Sequence, residues 1–128
     1  MKVDIFTLCD SAKEYLNRLV IVGTFDNIAA KNFPATHQEL AVVARIQMNN
    51  NEKGKHAIEI SIKKENEDVY IIEPFSMEVD NSNLQTEIGH INLIFNANNL
   101  LIPSDGKYVL TLKIGEIVEE SILYVTKI

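Results

Sequence analysis

Cys9 and Asp10 are neighbours near the start of the chain, and Cys9 is its only cysteine. A catalytic thiol needs a base or a positive neighbour to favour the thiolate. Asp10 works in the opposite sense, because a carboxylate beside a thiol raises its pKa. Cys9 therefore reads as a small buried hydrophobe in a strand. The histidines His37, His56 and His90 share no i, i+2 or i, i+4 spacing. Only the fold could gather them around a metal, so neither a metal nor another cofactor is expected. Asp26, Asp80 and Asp105 fall in or beside loops. Loop aspartates gathered at one end of a sandwich can hold calcium. This gives an alternative reading, a small-ligand or calcium-binding sandwich using its end loops. A third reading is an enzyme with a fold-assembled site drawn from Asp10, Asp26, Arg45 or a histidine. No phosphate-cradling loop, nucleophile elbow or zinc-protease pair is present in the sequence.

The elements that would position these residues are strands. The chain holds 17 Ile and 10 Val, whose branched side chains suit a pleated sheet better than a helix. Period-2 alternation recurs along most of its 128 residues. Strands are predicted at Val3 to Cys9, at Leu19 to Phe25, and over the buried face Leu40, Val42, Ala44, Ile46 and Met48. A further strand carries Ile58, Ile60 and Ile62, and with its predecessor it reads as a hairpin around the turn 49–55. Others cover Val69 to Phe75, the stretch around Ile91 to Phe95, Tyr108 to Ile114, and Ile117 to Lys127. Leu19 to Phe25 is apolar on both faces, as a central strand would be. At most one short helix is expected, near residues 11–17, where Asp10 or Ser11 could cap it. Gly115-Glu116 sits where a type II′ turn would go. The expectation is an all-β, antiparallel sandwich of about eight strands forming one domain over 1–128.

Charge narrows the partners. Net charge is −6, and only Arg18 and Arg45 carry a guanidinium. A nucleic-acid binder needs a basic stripe, so nucleic acid is not an expected partner. No apolar run approaches the length of a membrane span, so a membrane is not expected either. The opening MKVDIFTLCD is too short and polar for a signal peptide, and a single cysteine forms no internal disulfide. A cytoplasmic location is therefore expected. A sugar-binding platform would need exposed aromatics; Trp is absent, and only Tyr15 and Tyr124 are expected to be exposed.

The stretch SDGKYVLTL, Ser104 to Leu112, resembles the tyrosine corner of immunoglobulin-like sandwiches. There a Tyr at the start of the penultimate strand bonds backbone a few residues upstream. Tyr108 is thus expected to be buried, its hydroxyl on upstream backbone. A wider resemblance spans most of the chain. It runs through Leu8-Cys9-Asp10, then Gly23 with Phe25 and Asp26, then Pro34, a strand bearing Arg45, and the Gly106-x-Tyr108 strand. In these elements the sequence resembles an uncharacterised bacterial family classed as a domain of unknown function. That resemblance implies an immunoglobulin-like sandwich and no activity, and it marks Cys9, Asp10, Gly23, Phe25, Asp26, Pro34 and Arg45 as positions to inspect. The leading functional expectation is a non-enzymatic interaction or accessory module with a protein partner. A sheet edge or the 26–37 connection would serve as its contact, and self-association through an edge strand stays open.

Overall fold

The computed structural model describes every residue from Met1 to Ile128. Its strands are β1 (Lys2–Tyr15), β2 (Arg18–Thr24), β3 (Asn27–Ala30), β4 (Ala35–Asn49), β5 (Lys55–Lys64), β6 (Tyr70–Asp80), β7 (Ile88–Ile102), β8 (Gly106–Ile114) and β9 (Ile117–Lys127). Sheet A has the order β2-β1-β4-β7, and sheet B the order β3-β9-β8-β5-β6. The architecture is the expected all-β sandwich, with nine strands rather than eight. The additional strand is β3, which lies inside the 26–37 connection and pairs parallel to β9.

The core follows from the alternation. Leu40, Val42, Ala44, Ile46 and Met48 of β4 are buried. They form one cluster with Ile58, Ile60 and Ile62 of β5 and with Tyr108, Leu110, Leu112 and Ile114 of β8. Each large side chain there contributes about 1.5–3 kcal/mol of burial. Tyr108 behaves as expected: its ring is 0% exposed, and its hydroxyl donates to the Ser104 carbonyl at 2.9 Å. The β8–β9 turn also matches. Ile114 pairs with Ile117, and Gly115 takes the positive φ of 57° that a type II′ turn needs at its first central position.

Several elements differ from their sequence reading. β4 and β5 are not a hairpin. They lie in opposite sheets, joined by a 3₁₀ turn at Asn50–Glu52. A strand with one apolar face satisfies that face equally well against a facing sheet. Residues 11–15 form no helix; they continue β1, and Leu16 and Asn17 make a two-residue turn with φ of 49° and 59°. Pairing with β2 outweighs the weak helical propensity of that stretch. β2 is an edge strand rather than a central one. β6 continues through Pro74 to Asp80, which an edge strand tolerates, with register shifts on either side of Ile62 in its partner β5. β7 runs on to Ile102, because its core-facing positions change phase: Leu93, Phe95 and Ala97 precede the change, and Leu100 and Ile102 follow it. The left-handed Asn99, at φ 54°, sits at that phase change.

Candidate functional site

β1 has two halves with different partners. Lys2 to Cys9 pairs with β4, whereas Cys9 to Tyr15 pairs with β2 alone. Arg45 lies opposite Ile5 in β4, yet its guanidinium donates to the Asn17 carbonyl at 3.0 Å. A straight strand from Ile5 would carry Asn17 about 40 Å away. The β1–β2 hairpin therefore doubles back across the outer face of sheet A. The bend falls at Asp10, which faces Gly23. Gly23 has φ +68°, and a Cβ there would stand 2.5 Å from the Asp10 Oδ2. Only glycine fits that backbone and that approach without strain.

The folded hairpin creates a second, small core outside the sandwich. Cys9, Ala41 and Val43 are fully buried there, under Ala12, Leu19 and Ile21 of the hairpin and beside Ile94 of β7. A polar lock holds its tip. Arg45 Nη1 also donates to Asn92 Oδ1 at 2.7 Å. The Asn92 amide in turn donates to Glu14 Oε2 at 2.9 Å and to the Asn17 carbonyl at 3.2 Å. A single guanidinium nitrogen thus ties the hairpin tip to β7.

What the hairpin hides on one side it displays on the other. The register places Lys13 beside Val20, Tyr15 beside Arg18, and Ser11 beside Val22 on the outward side. Tyr15 is 60% exposed, Leu16 73% and Val22 55%. Lys13 and Arg18 are the only charges of this strip, and neither is in an ion pair. The Leu16 backbone is left-handed, a conformation that costs a bulky side chain roughly 1–2 kcal/mol. The turn nevertheless displays that side chain to solvent.

The sequence-marked residues separate into distinct roles. Cys9 is buried; burial first, and the Asp10 carboxylate second, push its thiol above the ordinary value. Its Sγ donates to the Ser11 carbonyl at 3.3 Å. Iodoacetamide is expected to modify native Cys9 about a hundredfold or more slowly than the urea-unfolded chain. Mass spectrometry follows this directly, and comparable rates would mean the hairpin does not cover the thiol. Asp10 and Gly23 form the bend, and Arg45 holds the tip. The Asp26 carbonyl accepts from the Tyr124 amide at 2.8 Å as β3 begins. Asp80 is held below the ordinary carboxylate value, first by the Ser82 hydroxyl and then by the Ser82 amide, so it shapes the turn after β6. Asp80 stands opposite Lys55, whereas Asp105 precedes β8 at the Tyr108–Lys64 end of β5. Those are opposite ends of sheet B, so the loop carboxylates of the calcium reading are not brought together. No group of three or more His, Cys, Asp or Glu side chains is placed to hold an ion.

One recess, about 520 Å³, is bordered by both Asp10 and His37, with Thr36, Gln38 and Glu39. Asp10 packs against Gly23 and the His37 ring against Phe25 at 5.8 Å. Both side chains thus already serve the bend and the strand that follows it. Tyr15 and Tyr124 are exposed as expected, at 60% and 50%. Sequence reasoning missed Glu14, Asn17 and Asn92 of the lock, and the outer core of Ala41 and Val43. The one available signal was β2 itself, where two apolar faces mean one face seated and one displayed.

A family model described as "Family of unknown function (DUF6941)" matches residues 4–126. No curated protein matches the chain. No solved structure matches it.

Proposed function

Because the chain belongs to this family of unknown function, its role has to be read from its own surface, and we propose that it is a non-enzymatic interaction or accessory module. The carrying observation is the hairpin, seated by its own small core and polar lock, with Tyr15, Leu16, Val20 and Val22 exposed on it. A contiguous apolar strip held out on a rigid element is a protein-docking surface. The free edge of β2 adds main-chain groups for an extended segment to pair with. The strip carries cations only, Lys13 and Arg18, on a chain of net charge −6. The partner is therefore a protein whose contact segment is apolar and acidic.

The parallel β3–β9 pair, the order β9-β8-β5-β6 opposite β1-β4-β7 and the Tyr108 corner favour immunoglobulin-like connectivity. The single cysteine, which can form no internal disulfide, favours a cytoplasmic location, and the family resemblance favours a bacterial origin. A Val20→Glu/Val22→Glu variant sets two carboxylates on the strip, against an acidic partner, while leaving the seated face untouched. Affinity capture from a native lysate, quantified by mass spectrometry, compares it with the unaltered chain. The expected result is selective loss of the partner from the variant, with unfolding within about 0.5 kcal/mol of the original. An identical captured set would overturn the assignment of this face.

A further inference from the structure

Four strands end the two sheets: β2 and β7 in sheet A, β3 and β6 in sheet B. Open edges recruit other strands unless they are short, charged, kinked or covered. β3 has four residues. β6 carries Pro74, Glu73, Glu78 and Asp80 and two register shifts. β2 has seven residues, with Arg18 at one end and the bent Gly23 at the other. β7 lacks these protections over Ile88 to Asn98, ahead of the left-handed Asn99. It is 15 residues long and contains no Asp, Glu, Lys, Arg or Pro. It pairs with β4 along its whole length. On the other side, no backbone bond outside the sheet uses residues 88–102, the Thr86 hydroxyl on the Ile88 carbonyl is the one side-chain hydrogen bond to that main chain, and Leu84 packs only at Gly89.

The apolar hairpin tip lies at the same place. Asn92 of β7 holds Glu14 and Asn17 by hydrogen bonds, so Tyr15 and Leu16 are displayed beside the open strand. We infer that β7 is the interface with a second copy of this chain, paired antiparallel about a two-fold axis into a continuous eight-stranded sheet. In such pairing β7 meets itself. Its core-side residues Ile91, Leu93 and Phe95 are apolar. A two-fold at Leu93, the middle of Ile88 to Asn98, sets Ile91 against Phe95, Asn92 against Ile94 and His90 against Asn96, so no Asp, Glu, Lys or Arg meets another. The net charge of −6 opposes self-association in general, and a strand free of charge keeps that repulsion away from the contact. The left-handed Asn99 ends the regular edge, leaving Ile88 to Asn98, about 37 Å of strand. A paired edge is narrow against the roughly 800 Å² per partner of a stable interface. Tyr15 and Leu16 add apolar area beside it, and this accounts for an exposed leucine held in a left-handed turn.

Sedimentation of the full chain from about 1 to 200 µM tests this by mass action. A dimer is expected, with the exchange of amides 88–98 slowing as concentration rises. Asn96→Lys/Asn98→Lys puts two cations on an edge that has none, as natural edges do against pairing. It is expected to weaken the dimer about tenfold or more with thermal unfolding of the monomer retained. Should that variant fold poorly, Leu16→Lys at the tip is expected to weaken the dimer in the same direction. Val20→Glu/Val22→Glu is expected to leave dimerisation intact, which separates this interface from the Val20 and Val22 end of the proposed partner face. A monomer throughout the range would overturn the inference. So would a dimer indifferent to both edge and tip variants.

Discussion

Tyr108→Phe is expected to cost about 1 kcal/mol, and Tyr108→Ala about 3–5 kcal/mol. The difference separates the two things this residue does. Its ring is 0% exposed and lies in the cluster formed with Leu110, Leu112 and the isoleucines of β5. Removing the ring opens a cavity that a close-packed interior fills only in part. The hydroxyl donates to the Ser104 carbonyl at 2.9 Å. Phenylalanine deletes that one bond, and Ser104 is only half-buried, so water can take over its carbonyl. Lys64 braces the same corner from β5, with its ammonium 3.0 Å from the Ser104 hydroxyl. Urea unfolding of the three proteins measures both costs from the midpoints at constant slope. Equal costs for Phe and Ala would show that the hydrogen bond, not the packing, carries this corner. A negligible cost for both would remove Tyr108 from the core altogether.

That corner was legible because all of its parts are local. Gly106, Tyr108 and Ser104 sit within a few residues, and the turn at Gly115 needs only its own backbone angle. The β4–β5 link was read wrongly because alternation tells which face of a strand is buried, not what covers it. Leu40 to Met48 and Ile58 to Ile62 would look alike in a hairpin and in two facing sheets. The far end of β7 gives no strand signal, because the phase change at Asn99 interrupts the period-2 alternation. The lock was illegible for a different reason. Glu14, Asn17, Arg45 and Asn92 meet only after β1 has folded back, and no spacing in the chain announces that bend. The family-like elements Leu8-Cys9-Asp10 and Gly23-x-Phe25-Asp26 did point to the right place. Their chemistry is conformational, since they build the corner from which the hairpin hangs. The Phe25 amide donating to the Leu8 carbonyl at 3.3 Å ties the two elements directly.

Gly23→Ala is the substitution that tests this corner, with an expected loss of about 2–3 kcal/mol. The left-handed backbone at φ +68° supplies roughly 1–2 kcal/mol of that for any residue with a Cβ. The remainder comes from the Asp10 carboxylate, whose Oδ2 would lie 2.5 Å from the new methyl. Asp10 is exposed at the hairpin base, so its side chain can retreat at moderate cost. Asp10→Ala/Gly23→Ala is therefore expected to recover the contact part and to retain the backbone part. The main sandwich should survive, because the three atoms nearest a Cβ at Gly23 all belong to Asp10 and none to the β4, β5 or β8 core. What should fail first is the seating of the hairpin over Cys9, Ala41 and Val43. Cys9 then serves as the reporter: its alkylation by iodoacetamide is expected to accelerate about tenfold or more while global unfolding remains cooperative. A Gly23→Ala protein with unchanged stability and an equally slow thiol would mean that the outer core, not the glycine bend, holds the hairpin down. Acceleration of the thiol without global unfolding would place the lowest-stability unit of the molecule in the element that presents Tyr15, Leu16, Val20 and Val22.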